Sequence, residues 1–131
     1  IIPFQLHFKK PFHIAHGART YTNTTYIKIE HQGITGWGEA ATPPYFHENV
    51  DTVNTFVTSF SAENIETKAD LFMAIKRLHT QEKNFAAKAA IEMALLDWYG
   101  KFSKQSVFEL LNIPFTKEIN TAYTIPICDK K

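Results

Sequence analysis

Arg19 is the side chain best suited to hold a ligand's charge. It is one of only two arginines, the other being Arg77, and it lies among Gly17, Thr20 and Tyr21. Its planar guanidinium can pair bidentately with a carboxylate. On residue chemistry alone, a solvated loop charge explains it equally well. The remaining candidates are weaker. Six histidines and 13 acidic residues invite a metal site, but no H-x-x-x-H, C-x-x-C or D-x-D-x-D spacing occurs. His13 and His16 share a loop, and His47-Glu48 begins a helix. Gly36-Trp37-Gly38 lies in a strand and opens no helix, so it is not a phosphate cradle. Cys128 would need a base beside it and reads instead as an ordinary thiol at a strand end. Asp97, in an apolar helix, reads as a polar residue at the helix flank, satisfied by a hydrogen bond or by a neighbouring domain, rather than as a catalytic carboxylate. Glu39, at a strand end, likewise reads as structural.

The elements that position these groups follow from periodicity. Phe4, Leu6 and Phe8 alternate with Gln5, His7 and Lys9, which predicts a half-buried strand ended by Pro11. His13–Asn23 has no sustained period and reads as a loop of about 11 residues, long enough to be functional or mobile. Thr24–Glu30 alternates again, with Ile27 and Ile29 against Lys28 and Glu30. Gly33 allows a turn, and Ile34–Ala40 forms a third strand. There Gly36 and Gly38 share one face, while Trp37 and Glu39 share the other. Two bare positions let another backbone approach closely.

Helices follow. Val50, Val53, Val57 and Phe60 form one apolar stripe, with Glu48 and Asp51 near its positive end. Thr67–Asp70 resembles a capping box ahead of Leu71, Ile75 and Leu78. Asn84 is placed to cap a long helix whose apolar face is Ala87, Ala90, Ile91, Ala94, Leu95 and Trp98. Ser106–Glu109 is a second box, opening a short helix ended by Asn112 and Pro114. The order βββ then ααα(α) is an α+β fold: a three-stranded antiparallel meander followed by a three-to-four-helix bundle. A last strand, Glu118–Ile127, is expected, with Pro126 confining it to an edge or an end.

Composition narrows the classes. One domain is expected at 131 residues, and 44% hydrophobic content with 11 Phe supplies a core. A net charge of +1 gives no electrostatic case for nucleic acid or a membrane surface. The single cysteine excludes an internal disulfide and fits a cytoplasmic setting. No apolar run approaches the ~18 residues of a membrane span.

Several segments together resemble one family. They are Lys10-Pro-Phe12 followed by Arg19-Thr20, then Gly36-Trp-Gly-Glu-Ala40, Ala86-Ala-Lys-Ala-Ala-Ile-Glu-Met-Ala-Leu-Leu-Asp97 and Ser106-Val-Phe-Glu-Leu-Leu111. The chain is similar to the N-terminal capping domain of the enolase superfamily, in its muconate-lactonizing subgroup. Thr121-Ala-Tyr-Thr-Ile125 looks like the first barrel strand of dipeptide epimerases of the Ala-Glu type.

The resemblance implies residues 1–115 as the capping domain and 116–131 as linker and first strand of a (β/α)₇β barrel that this chain lacks. It implies an isomerase that removes and returns an α-proton through an enediolate, using barrel lysines and a Mg²⁺ ion whose ligands lie outside this chain. The 131 residues alone would then be inactive, with no catalytic residue and no metal ligand among them. The cap supplies specificity through two loops, His13–Asn23 and Thr42–Phe46. Arg19, Tyr45, Phe46, Tyr123 and Thr124 are the substrate-binding candidates, with Arg19 matching the position that pairs with the side-chain carboxylate of Ala-Glu. The loop is about two residues longer here, through His16-Gly17, which leaves the dipeptide open. The implied partners are a small-molecule dipeptide and the chain's own barrel, with a homo-oligomer left open. The cap of a muconate cycloisomerase or of an o-succinylbenzoate synthase-like enzyme is an alternative. So is a stand-alone binding or assembly module that pairs through its C-terminal strand.

Overall fold

Backbone contact between a strand and a helix organises this molecule. The computed structural model describes residues 1–14, 17–43, 47–62 and 64–123. Strands β1 (Ile2–Ile14), β2 (Gly17–His31) and β3 (Ile34–Ala41) form an antiparallel sheet in the order β1-β2-β3. Helices α1 (Val50–Ser59), α2 (Lys68–Thr80), α3 (Phe85–Ser103) and α4 (Val107–Leu110) follow. As the pattern predicted, Gly36 and Gly38 are buried while Trp37 is exposed. The two bare positions lie against α3: a β-carbon at Gly36 would stand 2.6 Å from Trp98 Cβ, and one at Gly38 would stand 2.8 Å from the Ala90 carbonyl carbon. Ala87, Ala90, Ile91, Ala94, Leu95 and Trp98 are all buried on that helix.

The outer edge of β3 explains Asp97. The Trp37 N–H donates to Asp97 Oδ2 at 2.8 Å, and Lys101 Nζ donates to the Thr35 carbonyl at 2.9 Å. Lys101 also pairs with Asp97 at 2.7 Å, one helical turn away. The acid and the base of one helix thus occupy the edge groups of a strand that would otherwise be open to pairing with another chain. This is the structural role the sequence suggested for Asp97.

Asn84 does not cap α3. It adopts a left-handed conformation (φ 54°) and its side chain makes no cap bond. Instead the N–H groups of Phe85 and Ala86 donate to the two oxygens of Glu48, at 2.7 and 2.8 Å. A full negative charge is a stronger partner for a helix N-terminus than an amide is. The sequence assigned Glu48 to α1, but that helix is capped by Asn49, whose side chain accepts from the Thr52 N–H at 3.0 Å.

Both predicted capping boxes form. The N–H of Thr67 donates to Asp70 at 2.8 Å, and the N–H of Ser106 donates to Glu109 at 2.7 Å. The Thr67 hydroxyl, then its backbone N–H, holds the Asp70 carboxyl below its ordinary range. The Ser106 backbone N–H, then its hydroxyl, does the same for Glu109. A depressed folded-state pKa adds stability that is present above the ordinary carboxylate pKa and is lost as pH falls through the lowered value. The thermal midpoint is therefore expected to fall as pH drops below the ordinary carboxylate range, and the double variant Asp70→Asn, Glu109→Gln should show a shallower fall in calorimetry. An equal slope in the variant would remove these boxes as a source of acid sensitivity.

Two expectations differ from the structure near the chain's ends. The apolar residues of β1 are more exposed than a half-buried strand suggests, with Phe4 at 52% and Phe8 at 37%. They lie on an edge strand, and Phe4 shares a rung with Thr24, on the sheet face opposite the bare glycine positions. Residues 118–123 form no strand, and Ile119 and Tyr123 are exposed. A strand needs a ladder partner, and the sheet of the described residues contains only β1, β2 and β3. The rest of that expected strand, with Cys128, lies outside the described residues.

Candidate substrate-capping site

The segment His13–Asn23, expected as a loop, instead contributes its described residues, 13–14 and 17–23, to the far half of a β-ribbon. β3 ends at Ala41, which pairs with Thr24. Beyond that rung β1 and β2 continue alone, through Gln5↔Asn23 and His7↔Tyr21, and then Phe12↔Arg19, His13↔Ala18 and Ile14↔Gly17. The threonines and Tyr21 favour extended backbone, and Gly17, at the start of β2, has a φ of 125°. Pro11 does not end β1. It falls in the irregular register between His7 and Phe12, on an edge strand, where no ladder bond is required of it.

Arg19 sits near the ribbon's tip, half-buried, opposite Phe12. A groove of about 340 Å³ runs past it, lined by Ala18 to Asn23 and by Thr42. Six consecutive residues line one groove because they form a strand edge: β2 loses β3 as a partner beyond Thr24. Arg19, Thr20, Thr22, Asn23 and Thr42 all border this space. Such a lining offers hydrogen-bond donors and acceptors together with one fixed positive charge. It suits a small, polar, anionic ligand held from one side.

The other sequence candidates are distributed differently. Tyr45, Phe46 and Thr124 lie outside the described residues, as does His16. Tyr123 is 87% exposed and is not part of the groove. His13 pairs with Ala18 across the ribbon. Among the described residues, no group of three or more His, Cys, Asp or Glu side chains could hold a metal ion. No helix among them is long and apolar enough to cross a membrane. The sequence placed Thr42 and Thr20 to Asn23 within the two specificity loops but named none of them as a substrate-binding residue, and it missed that Thr20 to Asn23 form a strand edge. The run Thr20-Tyr-Thr-Asn-Thr-Thr25 carried the signal, since it is rich in strand-forming residues.

Residues 2–112 match the model of the mandelate racemase/muconate lactonizing enzyme family, N-terminal domain. The chain belongs to this family. As a member of the mandelate racemase/muconate lactonizing enzyme family, it has the capping-domain fold of the enolase superfamily. It is 32% identical over 126 residues to an L-Ala-D/L-Glu epimerase of Bacteroides thetaiotaomicron, covering 95% of this chain and 33% of that protein. It is 30% identical over 112 residues to a chloromuconate cycloisomerase of Cupriavidus pinatubonensis, covering 80% of this chain and 30% of that one. Among solved structures it resembles an enolase family member from Agrobacterium tumefaciens with homology to dipeptide epimerases, in a complex with sodium and L-Ala-L-Glu. That match has a TM-score of 0.77 and 25% identity, and covers 97% of this chain and 37% of the other. The chain thus spans about a third of the length of the curated family relatives it matches.

Proposed function

We propose that this chain is the substrate-capping part of a Mg²⁺-dependent dipeptide epimerase. The observation that carries the reading is the ribbon beyond β3, which presents Arg19 and a polar strand edge to one groove. The similarity to L-Ala-D/L-Glu epimerases supports the substrate class. Removing an α-proton next to a carboxylate requires a water-poor, charge-stabilising site. Magnesium would stabilise the resulting enediolate, but the described residues offer it no ligand set. The cap's own contribution is to grip the distal end of the substrate, to orient it and to exclude water. Its guanidinium meets a side-chain carboxylate, while the strand edge and its hydroxyls meet the peptide group.

The test is proton exchange. A polypeptide that continues this chain to the length of its relatives, given L-Ala-L-Glu and Mg²⁺ in D₂O, should incorporate deuterium at an α-carbon, as seen by ¹H NMR. The 131 residues alone should not. The cycloisomerase similarity supports a second reading, in which the same groove caps a muconate. Lactone formation from a muconate, with no exchange on any dipeptide, would replace the first reading by the second.

A further inference from the structure

The ribbon has to be held at its root. Two-stranded ribbons are marginal on their own and twist more than wider sheets. This one leaves the three-stranded sheet at the rung formed by Thr24 and Ala41. Arg19 lies five residues beyond Thr24, about 17 Å along the strand. A pivot of about 10° at the root would carry Arg19 by about 3 Å, which is ample to misplace a substrate contact.

Two side-chain bonds sit at that root, one on each face. On one face Gln5 Nε2 donates to Asn23 Oδ1 at 3.2 Å. On the other, the Thr24 hydroxyl donates to Glu39 Oε1 at 2.8 Å and lies 3.0 Å from the Ala40 carbonyl. These two bonds are not equivalent. Gln5 and Asn23 are exposed, whereas Thr24 is 1% exposed and Glu39 is half-buried. Glu39 pairs across the sheet with Tyr26, yet its carboxylate reaches two rungs further, to Thr24 at the base of the ribbon. A carboxylate on a face that also carries Phe4, Tyr26 and Trp37 gains nothing from apolar packing. A bond to an ionised acceptor in a sheltered position is among the stronger hydrogen bonds available.

We propose that Thr24 and Glu39 are positioning residues, a clamp that fixes the angle of the ribbon to the sheet and so sets the reach of Arg19 over the groove. Its meaning for substrate rests on the capping function proposed above; the clamp itself does not.

Amide hydrogen exchange on the 131-residue chain tests it without any ligand. Thr24→Val removes the hydroxyl at nearly constant volume, and Thr24→Ser keeps it. Thr24→Val should speed exchange at residues 18–23 by about tenfold and leave the α3 amides within about twofold of wild type. Thr24→Ser should behave as wild type. Glu39→Gln, which keeps an acceptor oxygen but loses the charge, should speed exchange less than Thr24→Val does, and Glu39→Ala should reproduce Thr24→Val from a less buried position. In the proposed epimerase, Thr24→Val should raise KM for L-Ala-L-Glu while kcat stays within about twofold. Unchanged exchange at 18–23 in both Thr24→Val and Glu39→Ala would overturn the clamp. So would equal acceleration in the ribbon and α3, which signals a general loss of stability. If the dipeptide reading fails, the exchange result still decides the clamp.

Discussion

Gly38→Ala is expected to be the most damaging conservative substitution in the sheet. A methyl group there would overlap the carbonyl of Ala90, with the Ala90 carbonyl carbon at 2.8 Å and the Ala94 nitrogen at 3.1 Å. These are backbone atoms inside a helix and cannot swing aside as a side chain could. Either α3 moves off the sheet or β3 breaks its ladder with β2. Overpacking in a rigid core costs about 1–3 kcal/mol, and more where backbone is the obstacle. We expect a loss of about 3 kcal/mol or more, seen as a fall of about 10 °C or more in thermal midpoint. Gly36→Ala should behave similarly, since its β-carbon would meet Trp98. Gly33→Ala is the control. Its added carbon would have nothing within 4 Å, but its φ of 73° disfavours a side chain, so about 1 kcal/mol is expected. If Gly38→Ala melts with the Gly33 variant, the close strand–helix contact is not what stabilises this fold.

That contact was legible in the sequence because the two glycines share one face of a period-2 strand and the alanines share one face of a helix. The capping boxes were legible for the same reason: Thr67 with Asp70, and Ser106 with Glu109, act within three residues. What the sequence hid were partnerships over longer separations. Glu48 reaches α3 across 37 residues and displaces the local candidate Asn84. Asp97 reaches Trp37 across 60. The ribbon was hidden differently. Pro11 and Gly17 look like strand breakers, and only the edge position of β1 and its irregular register make them compatible with pairing. For the site, residue chemistry singled out Arg19 but not the strand edge beside it, because an edge exists only once β3 is known to stop at Ala41. Of the two described residues expected to meet substrate, Arg19 lines the groove and Tyr123 does not; Tyr45, Phe46 and Thr124 lie outside the described residues.

Arg19→Ala should have the largest effect on substrate use of any substitution in this chain. Arg19 is half-buried beside a groove that is otherwise neutral and polar. A guanidinium gripping a sheltered carboxylate makes two parallel hydrogen bonds, and truncating one partner of such a pair costs about 2–5 kcal/mol. In the proposed epimerase, kcat/KM for L-Ala-L-Glu should therefore drop by about thirtyfold to several thousandfold. The proton is removed at some distance from the grip, so most of the loss should appear in KM, with kcat changing less. Arg19→Lys keeps the charge but not the planar fork, and should fall between the two. A dipeptide with an apolar second side chain supplies the decisive contrast. It offers no carboxylate to the guanidinium, so Arg19→Ala should leave its turnover nearly unchanged. Equal losses on both dipeptides would mean that Arg19 holds the ribbon together rather than the substrate. No loss on L-Ala-L-Glu would remove it from the site, and the strand edge of Thr20 to Asn23 would then have to account for recognition through the peptide group alone.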